Sequence, residues 1–201
     1  MTRLRKEDWR VADITPAQAR DLVAKYHYSG GGSMTGVYFH GLFRVGDPEP
    51  QGVAHWLPPT RVAAESVNRE AWQRVLSLTR LVVKPGVPSN ACSFLMARSM
   101  KLITRDQRFV SLVTYADESQ GHTGAIYLAA GWDYVGRTGP YPRWVEPLTG
   151  RQVATLATKS RTKAQMEALG YVNTGKFFKH KFVKHLPRLP QPGWKRQLGI
   201  L

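Results

Sequence analysis

Apolar residues recur in the first third of the chain with two different periods, and the change of period marks a change of element. After Thr15-Pro16, a capping hydroxyl followed by proline at the first helical position, Ala19, Leu22, Val23 and Tyr26 fall on one stripe, which predicts a helix ending at Tyr26-His27-Tyr28-Ser29. Gly30 to Gly32 follow. Val37, Phe39, Gly41, Phe43 and Val45 then alternate with Tyr38, His40, Leu42 and Arg44, the period of a strand. Gly46 to Gly52 turns the chain, Val53 to Leu57 reads as the return strand of a hairpin, and Pro58-Pro59 closes it. Arg61 to Arg74 is weakly helical and is expected to cover the sheet.

From residue 76 the order becomes strand, helix, strand, helix, strand. Leu76 to Lys84 is an apolar strand interrupted by Arg80, Pro85 to Asn90 is a turn, and Ala91 to Arg105 is a helix with Phe94, Leu95, Leu102 and Ile103 on its apolar face. Phe109 to Ala116 predicts a second buried strand, His122 to Ala130 a short helix ended by Gly131, and Trp132 to Thr138 a third strand. Two strands joined through a helix must run parallel. The expected class is α/β: a mixed sheet with an antiparallel N-terminal hairpin, parallel central strands and flanking helices.

Composition narrows the class. At 42% hydrophobic and 10% aromatic over 201 residues, the chain can bury a core, which excludes general disorder. The single Cys92 excludes an intramolecular disulfide, no apolar stretch approaches the roughly 20 residues that span a bilayer, and the N-terminus lacks the apolar core of a signal peptide. A cytoplasmic location is expected. The charge of +15, from 29 Lys and Arg against 14 Asp and Glu, points to a polyanionic partner.

Much of the excess lies between Lys159 and Arg196, with ten basic residues against the one acid Glu167 and with Tyr171, Phe177, Phe178, Phe182 and Trp194 interleaved. Cations neutralise phosphates and rings stack on bases, so Lys176, Lys179, Lys181, Lys184 and Arg188 are candidate DNA-binding residues. The expected organisation is a catalytic domain over 1–158 and a basic, aromatic extension over 159–201, which either belongs to the same domain or forms an extended arm gripping DNA.

Individual residues suggest chemistry. Asp117 sits where a parallel strand ends, the usual ligand edge of an open α/β sheet, and can bind metal, take a proton or orient substrate; it can equally cap the helix that follows. His27, between two tyrosines and before a glycine run, suits a metal or a proton shuttle, while a loop histidine is also often structural. His122 begins a helix, where the imidazole resists protonation. Arg80 in an apolar strand needs a partner or a ligand phosphate. Cys92 reads as a core residue rather than a nucleophile, His40 and His55 are assigned no role, and no Cys or His cluster has zinc spacing.

Leu78-Thr-Arg80-Leu-Val-Val-Lys-Pro-Gly86-Val-Pro-Ser-Asn90, Ser93-Phe-Leu, Thr114-Tyr-Ala-Asp117-Glu-Ser-Gln-Gly-His122-Thr-Gly-Ala-Ile-Tyr127 and Gly131-Trp132, with Tyr26-His27-Tyr28-Ser29, resemble the Mom family of phage DNA-modification proteins over about residues 20 to 140. That family is similar in fold to the GNAT superfamily of N-acetyltransferases. The resemblance implies a GNAT-like sheet and conversion of adenine in double-stranded DNA to N6-carbamoylmethyladenine, which shields phage DNA from host restriction.

It implies further that His27, Tyr28 and Asp117 form the reaction centre around iron (Fe2+), and that Arg80, Ser93 and Tyr127 hold acetyl-coenzyme A. One departure is the turn at 85–90, whose two prolines donate no backbone hydrogen bonds where the acetyltransferases use glycines. The product joins N6 to a methylene carbon, which an ordinary attack on a thioester carbonyl does not give. The adenine must also leave the base stack, and Tyr26, Tyr28 or Trp56 would sandwich it. The rival readings are an N-acetyltransferase acting on a protein or small molecule, and a nonenzymatic DNA-binding protein; a homodimer stays open.

Overall fold

The computed structural model describes residues 3–31, 35–153, 158 and 160–188. In chain order its elements are β1 (Trp9–Asp13), α1 (Pro16–Tyr26), β2 (Tyr38–Arg44), β3 (Gly52–Leu57), α2 (Arg61–Glu65), β4 (Val75–Val83), α3 (Ala91–Asp106), β5 (Ser111–Asp117), α4 (Ala125–Ala129), β6 (Asp133–Arg137), β7 (Tyr141–Val145), α5 (Lys163–Ala168), β8 (Val172–Phe177) and β9 (Lys179–His185). Seven strands form one sheet in the order β1-β2-β3-β4-β5-β9-β6, while β7 and β8 make a separate antiparallel ribbon. Only β4 and β5 pair in parallel; the other pairs in the sheet are antiparallel.

Alternation along the strands gives the sheet two dressed faces. Phe39, Val53 and Val82 meet Ala19, Leu22 and Val23 of α1, and Val75, Val113 and Val183 meet Ala64 of α2. The opposite face buries Leu42, Trp56, Leu76 and Leu112 against Leu95, Met96 and Ile103 of α3, and extends to Phe182 and Trp132. A capping box fixes the start of α1: Thr15 accepts from the Gln18 N–H at 3.2 Å, and the Gln18 side chain accepts from the Thr15 N–H at 3.0 Å. On the α3 face, Trp56 Nε1 donates to Ser99 Oγ at 2.7 Å, and the Ser99 hydroxyl lies 2.6 Å from His40 Nδ1. The Asp13 carboxylate, 3.3 Å from Nε2, can only accept, so the neutral ring carries its proton on Nε2 and Nδ1 accepts from the Ser99 hydroxyl.

Four expectations change. β1 replaces an N-terminus to which no element was assigned, and the cover over 61–74 shrinks to α2 and one 3-10 turn at Trp72–Arg74. The third strand of the helical series, β6, does not pair with β5, because β9 lies antiparallel between them. Phe182 and Val183 point to opposite faces and are 1% and 3% exposed, so residues 179–185 are an interior strand whose charges occupy the remaining positions. Residues 189–201, the end of the basic extension with Trp194, Lys195 and Arg196, lie outside the described residues, as do Gly32 and Lys159. Among the described residues no helix is long and apolar enough to cross a membrane.

Ser99 satisfies two buried partners at once, so Ser99→Ala leaves an indole N–H and an imidazole nitrogen unpaired. It should destabilise the fold by about 3 kcal/mol, read as a lower urea midpoint at unchanged slope; a loss under about 1 kcal/mol contradicts the network.

Candidate active site

The parallel ladder is short. It pairs Val75–Leu78 with Ser111–Thr114 and then stops. Beyond it β4 stays with β3 through Arg80↔His55 to Val83↔Gly52, while β5 stays with β9 through to Asp117↔Lys179. The two strands therefore part at the carboxyl end of β5, and on the α1 face a cleft of about 650 Å³ opens beside the gap. The loop after α1 forms one wall, with Tyr28, Ser29, Gly30 and Gly31. Arg80, Asp117 and Lys179 come from the sheet, and Glu146, Arg151, Gln152, Val153 and Tyr171 from the segment between β6 and β9.

Helix α1 runs across β3 and β4, so its end delivers His27 and Tyr28 beside Arg80. Arg80 answers the demand for a partner with backbone carbonyls: Nε and Nη2 donate to Gly31 O at 3.2 and 3.1 Å, and Nη1 to Thr79 O at 2.7 Å. Burial lowers its pKa below the usual guanidinium value. His27 Nδ1 accepts the Ser29 N–H at 3.2 Å, and the Ser29 hydroxyl donates to Gly31 O at 2.8 Å, so the proton of the neutral ring sits on Nε2. Burial first, then the charge of Arg80, holds the His27 imidazole down to about 4. Its ring lies 4.2 Å from that of Tyr28, which meets His122 edge-on at 5.5 Å. Tyr28 keeps 45% of its surface exposed, and burial of the rest together with Asp117 raises its phenol to about 12.

Asp117 is the most buried charge in the cleft, at 4% exposed. Oδ1 accepts from Ser119 N at 3.0 Å, from Ser119 Oγ at 2.7 Å and from the Tyr141 hydroxyl, while Oδ2 faces Lys179 Nζ at 3.8 Å. It does cap the short turn Glu118–Gln120, and it also ties β5 to β7 and β9. Burial, then the bond to Asp117, pushes the Tyr141 phenol well above its ordinary value, so Tyr141 stays a donor. The chain of contacts continues outward: Gln120 Nε2 donates to Ser119 Oγ at 3.2 Å and to Gln152 Oε1 at 3.3 Å, which fixes the Gln152 amide at the cleft wall.

These donors do not fit iron. Oδ1 of Asp117 already accepts three hydrogen bonds, Oδ2 faces an ammonium, Tyr28 is held protonated, and Arg80 stands beside His27 and Tyr28. Among the described residues no group of three or more His, Cys, Asp or Glu is disposed to hold a metal ion. Tyr28 and Asp117 do line the same cleft, and His27 lies behind them, its ring against that of Tyr28.

The three residues expected to hold a cofactor divide between the two faces of the sheet. Arg80 faces the cleft. Tyr127 lies on the α3 face, its ring packed against Trp132 and Phe182, and Ser93 donates to Asn90 O at 2.8 Å in the first turn of α3. The gap between β4 and β5 separates the two groups, so an extended ligand threaded through it would meet both. Beside the 85–90 turn a second cleft of about 560 Å³ is lined by Arg3, Arg44 and Arg5, the last paired with Glu7, together with Asp8 and Asp47, so Arg3 and Arg44 are the cations that can take the place of the missing glycine N–H groups. An acyl-coenzyme A fits these features. Cys92 is inert here, its thiol pushed up to about 11 by burial.

The basic candidates scatter. Lys179 is in the cleft, Lys181 donates to Ser66 on the α2 side at 2.7 and 3.2 Å, and Lys184 caps α4 through Ala130 O and Gly131 O on the other face. Lys176, on the ribbon, and Arg188, after β9, are exposed. Trp56 is fully buried and cannot stack on a base; Tyr26 faces a separate small groove near Lys25 and Glu49. Tyr28 alone of the three is placed for stacking in the cleft. Sequence reading gave no role to Tyr141, Glu146, Arg151 or Gln152, which reach the cleft only because the segment after β6 folds back over β5.

A model of the Mom protein family matches residues 8–187. No curated protein matches the sequence. Among solved structures, the mosquito arylalkylamine N-acetyltransferase like 5b aligns with TM-score 0.56 at 10% identity, covering 89% of this chain and 100% of its own. The ribosomal-protein-S18-alanine N-acetyltransferase of Escherichia coli aligns at 0.53 and 10%, covering 92% and 97%. A putative acetyltransferase of Salmonella typhimurium, solved with acetyl-CoA, aligns at 0.53 and 8%, also covering 92% and 97%. At such identities the likeness establishes the fold, which is that of the N-acetyltransferases.

The histidines supply a test of the cleft's electrostatics. Burial and Arg80 also hold His55 down to about 4, whereas an unfolded histidine titrates near 6.5. Between those values the unfolded chain binds more protons than the folded one, so stability should fall as pH drops from about 6.5 to 4 and stay level with respect to these groups above that window. Histidine resonances followed by NMR should show two rings that remain neutral down to about pH 4.5; inflections of both near 6.5 contradict this.

Proposed function

The chain belongs to the Mom protein family, and from that membership we propose that it modifies adenine in duplex DNA at the exocyclic N6, giving N6-carbamoylmethyladenine and so shielding the DNA from restriction. The observation that carries the reading is the cleft at the end of β5. There a half-exposed aromatic ring, a fixed amide and the cations Arg80, Arg151 and Lys179 converge on a protein of net charge +15. A base drawn out of its stack can lie on the Tyr28 ring. Gln152, with one lone pair of Oε1 held by Gln120, still offers that oxygen's second lone pair and an NH2 group, the pattern that pairs with an adenine amine and its neighbouring ring nitrogen.

Asp117 acts in this reading by position. It holds the Tyr141 hydroxyl and attracts the Lys179 ammonium, so that both groups border the cleft in fixed places. His27, neutral and buttressed against Tyr28, presents Nε2–H rather than a second positive charge. Acetyl-coenzyme A, when bound, would present an activated acyl group; the N6–methylene bond and the terminal amide require, besides it, a two-electron oxidant and an amine donor. Arg80 and Tyr127 stand on either side of the gap, and Arg3 and Arg44 lie beside the turn where phosphates would sit. The fold it shares with N-acetyltransferases supports a second reading, ordinary acetyl transfer to a protein or small molecule.

Nucleoside mass spectrometry of DNA from cells producing the protein decides between them. Expected is carbamoylmethyladenine, lost by 100-fold or more, on the order of 3 kcal/mol, with Tyr28→Ala while duplex affinity persists. Unmodified DNA together with acetylated cell components favours the second reading. Binding has its own signature. The exposed Lys176 and Arg188 contact phosphates, so Lys176→Glu and Arg188→Glu should each reduce the salt dependence of duplex binding by about one unit of the log–log slope, without changing sequence preference; an unaltered slope removes them from the interface.

A further inference from the structure

The segment after β7 forms a small finger over the cleft. Val145 bridges Gln152, Val153 N donates to Trp144 O at 2.9 Å, and Glu146 N donates to Arg151 O at 2.9 Å. Its stems carry Glu146, Arg151 and Gln152 into the cleft wall. Its tip is Pro147-Leu148-Thr149-Gly150, and Leu148 is 94% exposed, the most exposed large apolar side chain described.

The tip is built to hold its shape. Gly150 N donates to Glu146 O at 2.8 Å with Gly150 at φ +66°, Thr149 Oγ1 donates to Glu146 Oε2 at 2.7 Å, and Arg151 N donates back to Thr149 Oγ1 at 3.2 Å. These three bonds tie the turn to its own stem, and none of them requires leucine at its apex. A single exposed leucine is common on protein surfaces. This one stands on a rigid turn at the mouth of a cationic cleft, on the same hairpin as the amide placed to read the base.

We propose that Leu148 is a wedge: it enters the stack of duplex DNA where the target base leaves and fills the space that base vacates. The inference rests on the reading of the cleft as a site for an extruded adenine. An apolar side chain gains nothing from the phosphate backbone but gains on entering the stack, and an unfilled vacancy there costs a few kcal/mol per unstacked step. Arg151 at the root of the finger and Lys179 across the cleft supply the positive charge that brings the strands to it.

The test uses duplexes carrying 2-aminopurine in place of adenine in a set of sequence contexts, together with the same strands unpaired. The unaltered protein should raise the fluorescence of at least one duplex as the base leaves the stack. Leu148→Ala should bind that duplex with the same salt slope yet give about a ten-fold smaller rise, Leu148→Met should restore it, and on single strands all three proteins should behave alike. A full rise with Leu148→Ala overturns the wedge. So does an equal loss of affinity on paired and unpaired DNA, which would make the tip a simple docking contact. A protein that never raises the signal in any duplex, Leu148 intact, sinks the extrusion reading itself and the wedge with it.

Discussion

A carboxylate that is 4% exposed has to be satisfied, and the cleft is arranged around that requirement. Asp117 sits at the last residue of β5, where the strand has already lost β4 on one side but is still held by β9 on the other. Three hydrogen bonds to Oδ1 and a facing ammonium come from three places far apart in the chain, namely the following turn, β7 and β9. Meeting the need of one buried charge thereby fixes the relative position of the sheet, the ribbon and the wall that carries Gln152. The same commitment of its lone pairs is why the cleft reads as a hydrogen-bonded wall rather than a metal site.

What the sequence reveals follows from how local the determinants are. Helix α1 is legible from Thr15, Pro16 and a stripe of four residues, because capping and periodicity operate within one or two turns. The run from β4 to β5 is legible for the same reason, and with it the placement of Arg80 and Asp117 near a strand end. β7 and β8 are not: Val172-Asn-Thr-Gly-Lys-Phe177 is exposed along nearly its whole length and offers no apolar face to detect. β9 reads from sequence as part of a basic extension suited to DNA, and its place inside the sheet is not visible there, because Lys179, Lys181 and Lys184 find their partners only after Asp117, Ser66 and Gly131 have been brought to them. Tyr141 and Gln152 stay invisible as site residues on the same ground, since only the fold-back of the chain after β6 gives them neighbours.

Charge is distributed with similar economy. A formal excess of +15 suggests a uniformly basic surface, yet Lys181 and Lys184 are tied to carbonyls and a hydroxyl on opposite faces of the sheet. Arg80, Arg151 and Lys179 line the cleft, and Lys176 and Arg188 are among the exposed cations. Such an arrangement favours an encounter steered by the whole molecule and a register set by few contacts.

The order of the strands in space has a consequence for how the molecule comes into being. β9 is the last strand of the described chain to be synthesised, yet it lies between two that precede it, and Ser111 meets His185, 74 positions further along the chain. While the polypeptide is still on the ribosome, β5 therefore presents an open edge, and the carboxylate at its end waits for Lys179. The cleft can close only once that stretch has left the exit tunnel, and the pairing that closes it is non-local, the kind of contact that forms late.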